Sequence, residues 1–498
     1  SNPSILDQLN LVALFPVMAG DTLPATACGA SGAVVDVKAE VVGVDQQLPP
    51  PEPPIREGRC TFILPSKGRR CRCQAMPGLD RCGVHRQDAE AASDERVPCP
   101  LDPGHTVFAK RLKQHLKVCT KVRDANVVTQ QPFYKRGVNM GAAASIATKE
   151  DAAPAINTSP PEVVQVWIDR IKVAYTQAVR EVLGPSADAN ALLELSVVAE
   201  ATDRGHAEKH EVQNQALAQM VSQRGLARDA VVIEYGCGRG GLAAAVLGAQ
   251  PDTRCLLLDR EPRRHKFENR QESRGRSVLR LRLDIADFDL SAFLRAPLDA
   301  ESLPKAADFA SQALTVTSDA AEGAGFAEKL EELWRSVASL QTPPWPPQRV
   351  LACAKHLCGG ATDVALRSLL GRCGVDVSVC LATCCHHRCD AGSYVNLPFL
   401  ARIGLCSTPE EFAQFVSAAG WGVGGIGGVD STSVCEKRNI GMMAKRILDL
   451  GRVAWLKEAL GLPDARLSSY ISKDVTPENI AIVAGGQALS DEATSRTT

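Results

Sequence analysis

Read only as apolar and polar positions, the chain changes character near Pro161. Before that point apolar residues fall without a helical or strand period. Beyond it, Val163–Leu183 places apolar residues every three or four positions and predicts an amphipathic helix, and Leu192–Leu226 predicts further helix. Ala230–Glu234 is a short unbroken apolar run closed by a glycine turn, the pattern of a strand buried on both faces. Cys255–Asp259, Val278–Asp284, Val350–Ala354 and Val377–Ala382 also read as strands, and the helical spacers between them predict α/β with a parallel sheet. Ala296–Gln348 breaks the rhythm. It is rich in Ala, Ser and Pro, ends in Pro343-Pro344-Trp345-Pro346-Pro347, and reads as an insertion rather than core.

Boundaries follow from composition. Residues 1–55 end in closely spaced prolines that favour extended backbone and resist packing, and read as a disordered tail. Two small Cys/His-rich basic modules at 56–88 and 96–122 are followed by an Ala, Thr, Ser and Pro linker at 123–160, the α/β domain at 161–485 and a second tail at 486–498. With 498 residues, 45% of them apolar, and a formal net charge of −1, the chain is neither a disordered acidic segment nor a bulk polycation. No apolar run approaches the roughly 18–20 residues that a membrane helix needs, so no signal, transit or membrane segment is expected. Eighteen cysteines, several adjacent or inside apolar strands, do not describe a small secreted disulfide scaffold. A reducing compartment, nucleus and/or cytoplasm, is the expectation.

The cysteines matter by their grouping. Cys60, Cys71, Cys82 and His85 form C-x10-C-x10-C-x2-H, four ligands able to enclose one tetrahedral zinc ion, with Cys73 as a spare. The spacers are basic and contain glycine, and could not bury a core without such help. Cys99, His105, His115 and Cys119 form C-x5-H-x9-H-x3-C. Phe108–Val118 reads as a short helix, which turns His115 and Cys119, at i and i+4, toward one metal. Two zinc ions are therefore expected. Lys110, Arg111, Lys113, Lys117, Lys121 and Arg123 make the second module positive, and a phosphate-binding surface is about as good a reading as a plain solvated face.

In the α/β part, Glu234, Gly236, Gly238 and Gly240 give E-x-G-x-G-x-G at a strand end before an Ala-rich helix, a turn in which a ligand can press against the backbone. Alone it is weak, since dinucleotide folds use a related turn. The next strand ends in Asp259, placed to accept hydrogen bonds from a ribose diol, and the one after it in Asp284-Ile285, a carboxylate and an apolar side chain that could flank an adenine. Glycine turn, acid, acid, each at a strand end, is the order of an S-adenosylmethionine pocket. Two further strand ends carry Ala354-Lys355-His356-Leu357-Cys358-Gly359-Gly360 and Thr383-Cys384-Cys385-His386-His387-Arg388-Cys389, titratable residues on the rim where open α/β sheets bind ligands. An alternative for Cys384, Cys385, His386, His387 and Cys389 is a third zinc site.

Taken together, the two Cys/His modules, the glycine turn, AKHLCGGATDVALR at 354–367, CCHHRC at 384–389 and IGMMAKRILDLGRVAWLKE at 440–458 closely resemble the eukaryotic tRNA 2′-O-methyltransferases that modify nucleotide 4 of the acceptor stem. The resemblance covers about two thirds of the chain in the family's order, and its second module is similar to one in a minor-spliceosome protein. It implies a Rossmann-like, S-adenosylmethionine-dependent methyltransferase with CCCH and CHHC zinc fingers, acting on the tRNA acceptor stem; no membrane is expected and no protein partner is predicted. Lys355, His386 or His387 would then remove the ribose 2′-hydroxyl proton, and the three stay unranked. A finger-bearing RNA adaptor whose α/β domain has lost catalysis is the competing class, and the intact glycine, acid and CCHHRC segments argue against it.

Overall fold

The computed structural model describes residues 58–64, 69–82, 85, 96–100, 102–119, 128–141, 156, 159–194, 206–261, 263, 266–295, 320–422, 431–473 and 475–485. The tails at 1–55 and 486–498 lie outside these. Contacts divide the chain into Ser1–Ser93 and Asp94–Thr498.

In the first unit two short strands, β1 (Ile63–Leu64) and β2 (Arg69–Arg70), pair antiparallel around buried Cys60, Cys71 and Cys82. The second unit begins with an antiparallel pair, β3 (Arg96–Cys99) and β4 (Asp102–Phe108), then a single 3-10 turn and helix α1 (Leu112–Val118). Helices α2 (Pro161–Leu183), α3 (Ala189–Glu194) and α4 (His206–Gln223) follow. Of the span expected as further helix from Leu192, the described parts are helical at Ala189–Glu194 and His206–Gln223, and 195–205 lie outside the described residues.

The rest alternates as expected for parallel pairing: β5 (Ala230–Tyr235), α5 (Gly241–Ala249), β6 (Arg254–Leu258), β7 (Val278–Leu281), α6 (Ala320–Leu340), β8 (Arg349–Lys355), α7 (Ala361–Ser368) and β9 (Asp376–Ala382). Helices α8 (Leu397–Arg402), α9 (Pro409–Ala418) and α10 (Ser431–Leu460) lead to β10 (Arg466–Ser469) and β11 (Ile480–Ala484). The seven strands lie in the order β10-β11-β9-β8-β5-β6-β7, with β5 to β9 parallel, β11 antiparallel to β9 and β10 antiparallel to β11. Because strand residues alternate faces, Val231, Ile233 and Tyr235 pack on one side with α2, α7 and α10, while Val232 and Leu257 pack on the other with α4 and α5. Among the described residues no helix is long and apolar enough to cross a membrane.

Two expectations need correction. The segment read as an insertion contributes to the core at its far end: α6 buries Ala327, Leu330, Val337 and Leu340, and Gln341 donates to the Phe293 carbonyl at 2.8 Å. Its apolar residues recur at helical spacing, a signal the flanking Ala, Ser and Pro obscured. The stretch read as linker is also partly docked. Asn139 is buried and its Nδ2 donates to the carbonyls of Ile285 and Phe288, both at 2.7 Å, while Ile156 sits wholly inside the core.

Candidate active site and zinc fingers

β5 has β6 on one side and β8 on the other, so the sheet order reverses at its carboxyl end, the place where open α/β sheets form a ligand crevice. A cleft of about 1240 Å³ opens there, and Glu234, Gly236, Gly238, Asp259, Asn214 and Lys355 are among its lining residues.

The glycine turn takes its shape from positive φ at Gly236, Gly238 and Gly240, with Gly240 capping α5. A methyl on Gly236 would meet Leu357 at 2.8 Å, whereas one on Gly238 would meet nothing within 4 Å, so the backbone there faces open space that a side chain would fill. Asp259, buried at the end of β6, braces the turn by accepting from the Gly238 amide at 2.7 Å and the Glu261 amide at 2.8 Å. Both of its oxygens keep lone pairs for a further donor. Glu234 is 4% exposed and accepts from the Ala243 amide at 2.9 Å, tying the strand to the start of α5. Burial pushes its carboxyl up to about 7, against the pull of that amide and of Arg280 and Lys355. Glu234 therefore shapes the floor of the cleft.

Asp284 and Ile285 do not line the cleft. Asp284 caps a 3-10 turn by accepting from the Ala286 amide at 3.0 Å and lies 3.4 Å from Arg260, while Ile285 joins the core. Two residues that the sequence reading missed do belong here. Arg280 reaches under the turn from β7, donating to the Gly238 carbonyl at 3.1 Å and pairing with Glu268 at 2.5 Å. Asn214 on α4 lines the cleft with a buried Oδ1 that has no hydrogen-bond partner among the described residues, an acceptor held ready for a donor such as an ammonium group. Open space over Gly238, the Asp259 carboxylate and the Asn214 acceptor together fit an adenosyl amino-acid donor.

Across the cleft, Lys355 ends β8. Its Nζ donates to the His210 carbonyl at 2.9 Å and lies 3.4 Å from His210 Nδ1, which in turn is 3.2 Å from His356 Nε2. Burial pulls the Lys355 ammonium down to about 8, although Glu234 and Glu211 favour its charge. His210 was invisible as a site residue because it lies about 145 positions earlier, on a helix with no motif.

His386 and His387, the other candidates for proton removal, separate in the structure. His386 is 1% exposed, and its Nε2 donates to Asp449 at 2.8 Å. Burial pulls its imidazole down from the usual value, against the pull of Asp449. Asp449 also accepts from Thr383 at 3.1 Å and from Arg452 at 3.0 Å, and Arg452 forks onto Asp363 at 2.6 and 3.1 Å. His386 is thus a positioning residue in an interior ion network, not an accessible base. His387, next to it on the same 3-10 turn, is exposed and is outside the residues lining the cleft. Asp363, Asp449 and Arg452 escaped notice because single charges in an apolar helical pattern resemble surface positions.

The fingers assemble as their spacing suggests. The ligand atoms of Cys60, Cys71, Cys82 and His85 lie within 4.8 Å of one another, with His85 Nδ1 at 3.5 Å from Cys60 Sγ and 3.3 Å from Cys82 Sγ. Phe62 stacks on the His85 ring at 4.1 Å, and Cys73 is exposed outside the group. In the second finger Cys99, His115 and Cys119 converge, with sulfurs of Cys99 and Cys119 at 3.9 Å and His115 Nε2 at 3.4 Å from Cys99. His105 lies on β4, and its side chain is outside those described. Soft thiolate and imidazole donors at these separations fit zinc.

Family comparisons agree with this layout. Residues 58–86 match the CCCH zinc finger in TRM13 protein, 96–120 the U11-48K-like CHHC zinc finger, and 212–303 with 335–485 the Methyltransferase TRM13 model. The tRNA:m(4)X modification enzyme TRM13 of Eremothecium gossypii is 27% identical over 470 residues, spanning 85% of this chain and 94% of that protein. Its Saccharomyces cerevisiae counterpart is 25% identical over 498 residues (85% and 95%), and the human homolog 25% over 481 (86% and 94%). The solved structure of the plantazolicin methyltransferase BpumL in complex with SAH covers 65% of this chain and 99% of its own at 8% identity, with a TM-score of 0.25, too slight a likeness to bear on the site. Two fingers and a methyltransferase sheet, each matched in order along one chain, make this protein a member of the TRM13 methyltransferase family.

Proposed function

We propose that the chain transfers the methyl group of S-adenosylmethionine to the ribose 2′-hydroxyl of nucleotide 4 in the tRNA acceptor stem. The observation that carries this reading is the convergence on one cleft of the open glycine turn, the Asp259 carboxylate and, on the facing strand end, Lys355. The names of the relatives supply tRNA modification, and the two basic fingers suit a phosphate backbone.

When bound, the donor supplies an electrophilic methyl on a sulfonium centre. The chain must align the attacking oxygen with it and take up a weakly acidic proton. Asp259 would hold the ribose of the donor, and Asn214 Oδ1 would accept from its ammonium group. Lys355 Nζ, held between burial and the His210 carbonyl, is neutral often enough near pH 8 to receive the 2′-hydroxyl proton. His386, locked to Asp449, keeps the CCHHRC turn in place beside it.

The test is transfer of labelled methyl to paired tRNAs that differ only in a 2′-deoxyribose at acceptor-stem nucleotide 4. Labelling of the ribose form alone is expected. Equal labelling would move the target to a base or another ribose, and no labelling of either despite tRNA binding would favour an RNA adaptor.

A further inference from the structure

The rim loops hold a group of thiols that the proposed transfer does not use. β8 and β9 are parallel neighbours, and each runs into a loop at its carboxyl end: His356-Leu357-Cys358 after β8, Thr383-Cys384-Cys385 after β9. His356, at φ 60°, and Cys385, at φ 45°, both adopt left-handed backbone that non-glycine residues rarely take. The outcome of those two bends is that the sulfurs of Cys358, Cys384 and Cys385 lie within 4.8 Å of one another, with Cys358 and Cys384 at 3.6 Å. Adjacent cysteines would ordinarily diverge; here the left-handed turn at Cys385 lets both serve one point.

Two scales calibrate that separation. A tetrahedral zinc ion with Zn–S bonds of about 2.3 Å sets its sulfurs about 3.8 Å apart. Within this same chain, the Cys99 and Cys119 sulfurs of the CHHC finger stand 3.9 Å apart. The rim trio is as tightly gathered as a recognised finger, and Cys384 is buried. Its membership also differs from the simple reading of CCHHRC. Cys389 takes a contact from Arg452 at 3.1 Å, His386 is committed to Asp449, and His387 is absent from the group, whereas Cys358 joins it from the neighbouring loop.

We propose that Cys358, Cys384 and Cys385 form a third metal site, a three-thiolate centre for zinc that fastens the loop after β8 to the loop after β9 and leaves the fourth coordination position to solvent or an exogenous ligand. Cys358 follows Lys355 by three residues, so the site would fix the loop that carries His356 at the edge of the cleft.

Metal content of the purified full chain tests this by mass spectrometry. Cys358→Ser and Cys384→Ser should each hold one zinc equivalent fewer than the unsubstituted chain, whereas Cys373→Ser and Cys435→Ser, at exposed cysteines outside the group, should hold the same amount. Equal content in all four would overturn the proposal. A second measurement uses the unsubstituted chain and does not depend on the variants folding: alkylation of Cys358, half-buried in the structure, should be at least about tenfold slower before a zinc chelator is added than after. A chelator-independent rate, or a native mass showing Cys358 and Cys384 already joined as a disulfide, would overturn it too.

Discussion

Lys355→Arg asks whether a lysine that can lose its proton is the base. The guanidinium fills similar space and donates similar hydrogen bonds, but stays charged across the accessible pH range. Burial on the β8 end pulls the Lys355 ammonium down to about 8, so at pH 7.5 about a quarter of molecules carry the neutral amine, against about one in a thousand for a solvent lysine near 10.5. That is an advantage of roughly two hundredfold in active base, and it should appear as a rise in single-turnover methyl transfer of about thirtyfold between about pH 6.5 and 9, levelling above about 8. A histidine base would instead level by about pH 7.5. Lys355→Arg should lose about 10²–10⁴-fold at every pH while binding the donor as before. The assay is transfer of labelled methyl to tRNA at saturating donor. A flat pH profile, or an arginine variant within about threefold of the parent, would refute the assignment.

Asp449→Asn leaves Arg446, Arg452 and His386 without their shared anion in the interior and should lower unfolding free energy by about 3–5 kcal/mol, read as the urea midpoint. Although burial opposes its ionisation, the surrounding His386, Arg446 and Arg452 hold the Asp449 carboxyl below the usual range, so its stabilisation is present above about pH 4 and lost as pH falls further; a parent chain and variant with the same acid unfolding profile would contradict this. Gly238→Ala projects a methyl into the cleft and should weaken S-adenosylmethionine binding by about tenfold, measured calorimetrically, with a folding cost near the 1–2 kcal/mol of a left-handed alanine. Cys60→Ser and His115→Ala should each weaken tRNA binding by about tenfold at physiological salt and leave donor affinity unchanged; unaltered tRNA affinity in both would detach the fingers from substrate docking.

Most of the parallel strands were legible because they are short apolar runs ended by a glycine or a polar side chain, and burial on both faces demands that composition. For the same reason Asp259 and Lys355, polar residues at strand ends, could be picked out as rim positions. Asp284 has the same local signal but caps a 3-10 turn, because a strand-end aspartate serves equally well there, and only the third dimension separates the two uses. His386 stood beside His387 in one motif, yet a single turn sends one ring to Asp449 and leaves the other exposed. Asn214, His210 and Arg280 arrive from elements with no motif of their own, and nothing local marks a residue whose partner lies far along the chain. The strands β10 and β11 were likewise missed, being short and separated from the parallel repeat by the long α10.

The antiparallel strand β11 also has a consequence for how the protein is made. It is not a decoration on the edge: Ile480–Ala484 pairs with β9 on one side and β10 on the other. β9 ends at Ala382, so about a hundred residues must be added before its partner exists, an interval of about 5–20 s at ordinary elongation rates. Throughout it the nascent chain carries a strand of valine, cysteine and leucine with one flank unpaired, the template that edge-to-edge aggregation uses. A premature stop anywhere between Ala382 and Ile480 would therefore yield not a smaller enzyme but a sticky one, dependent on chaperones from the moment it leaves the ribosome.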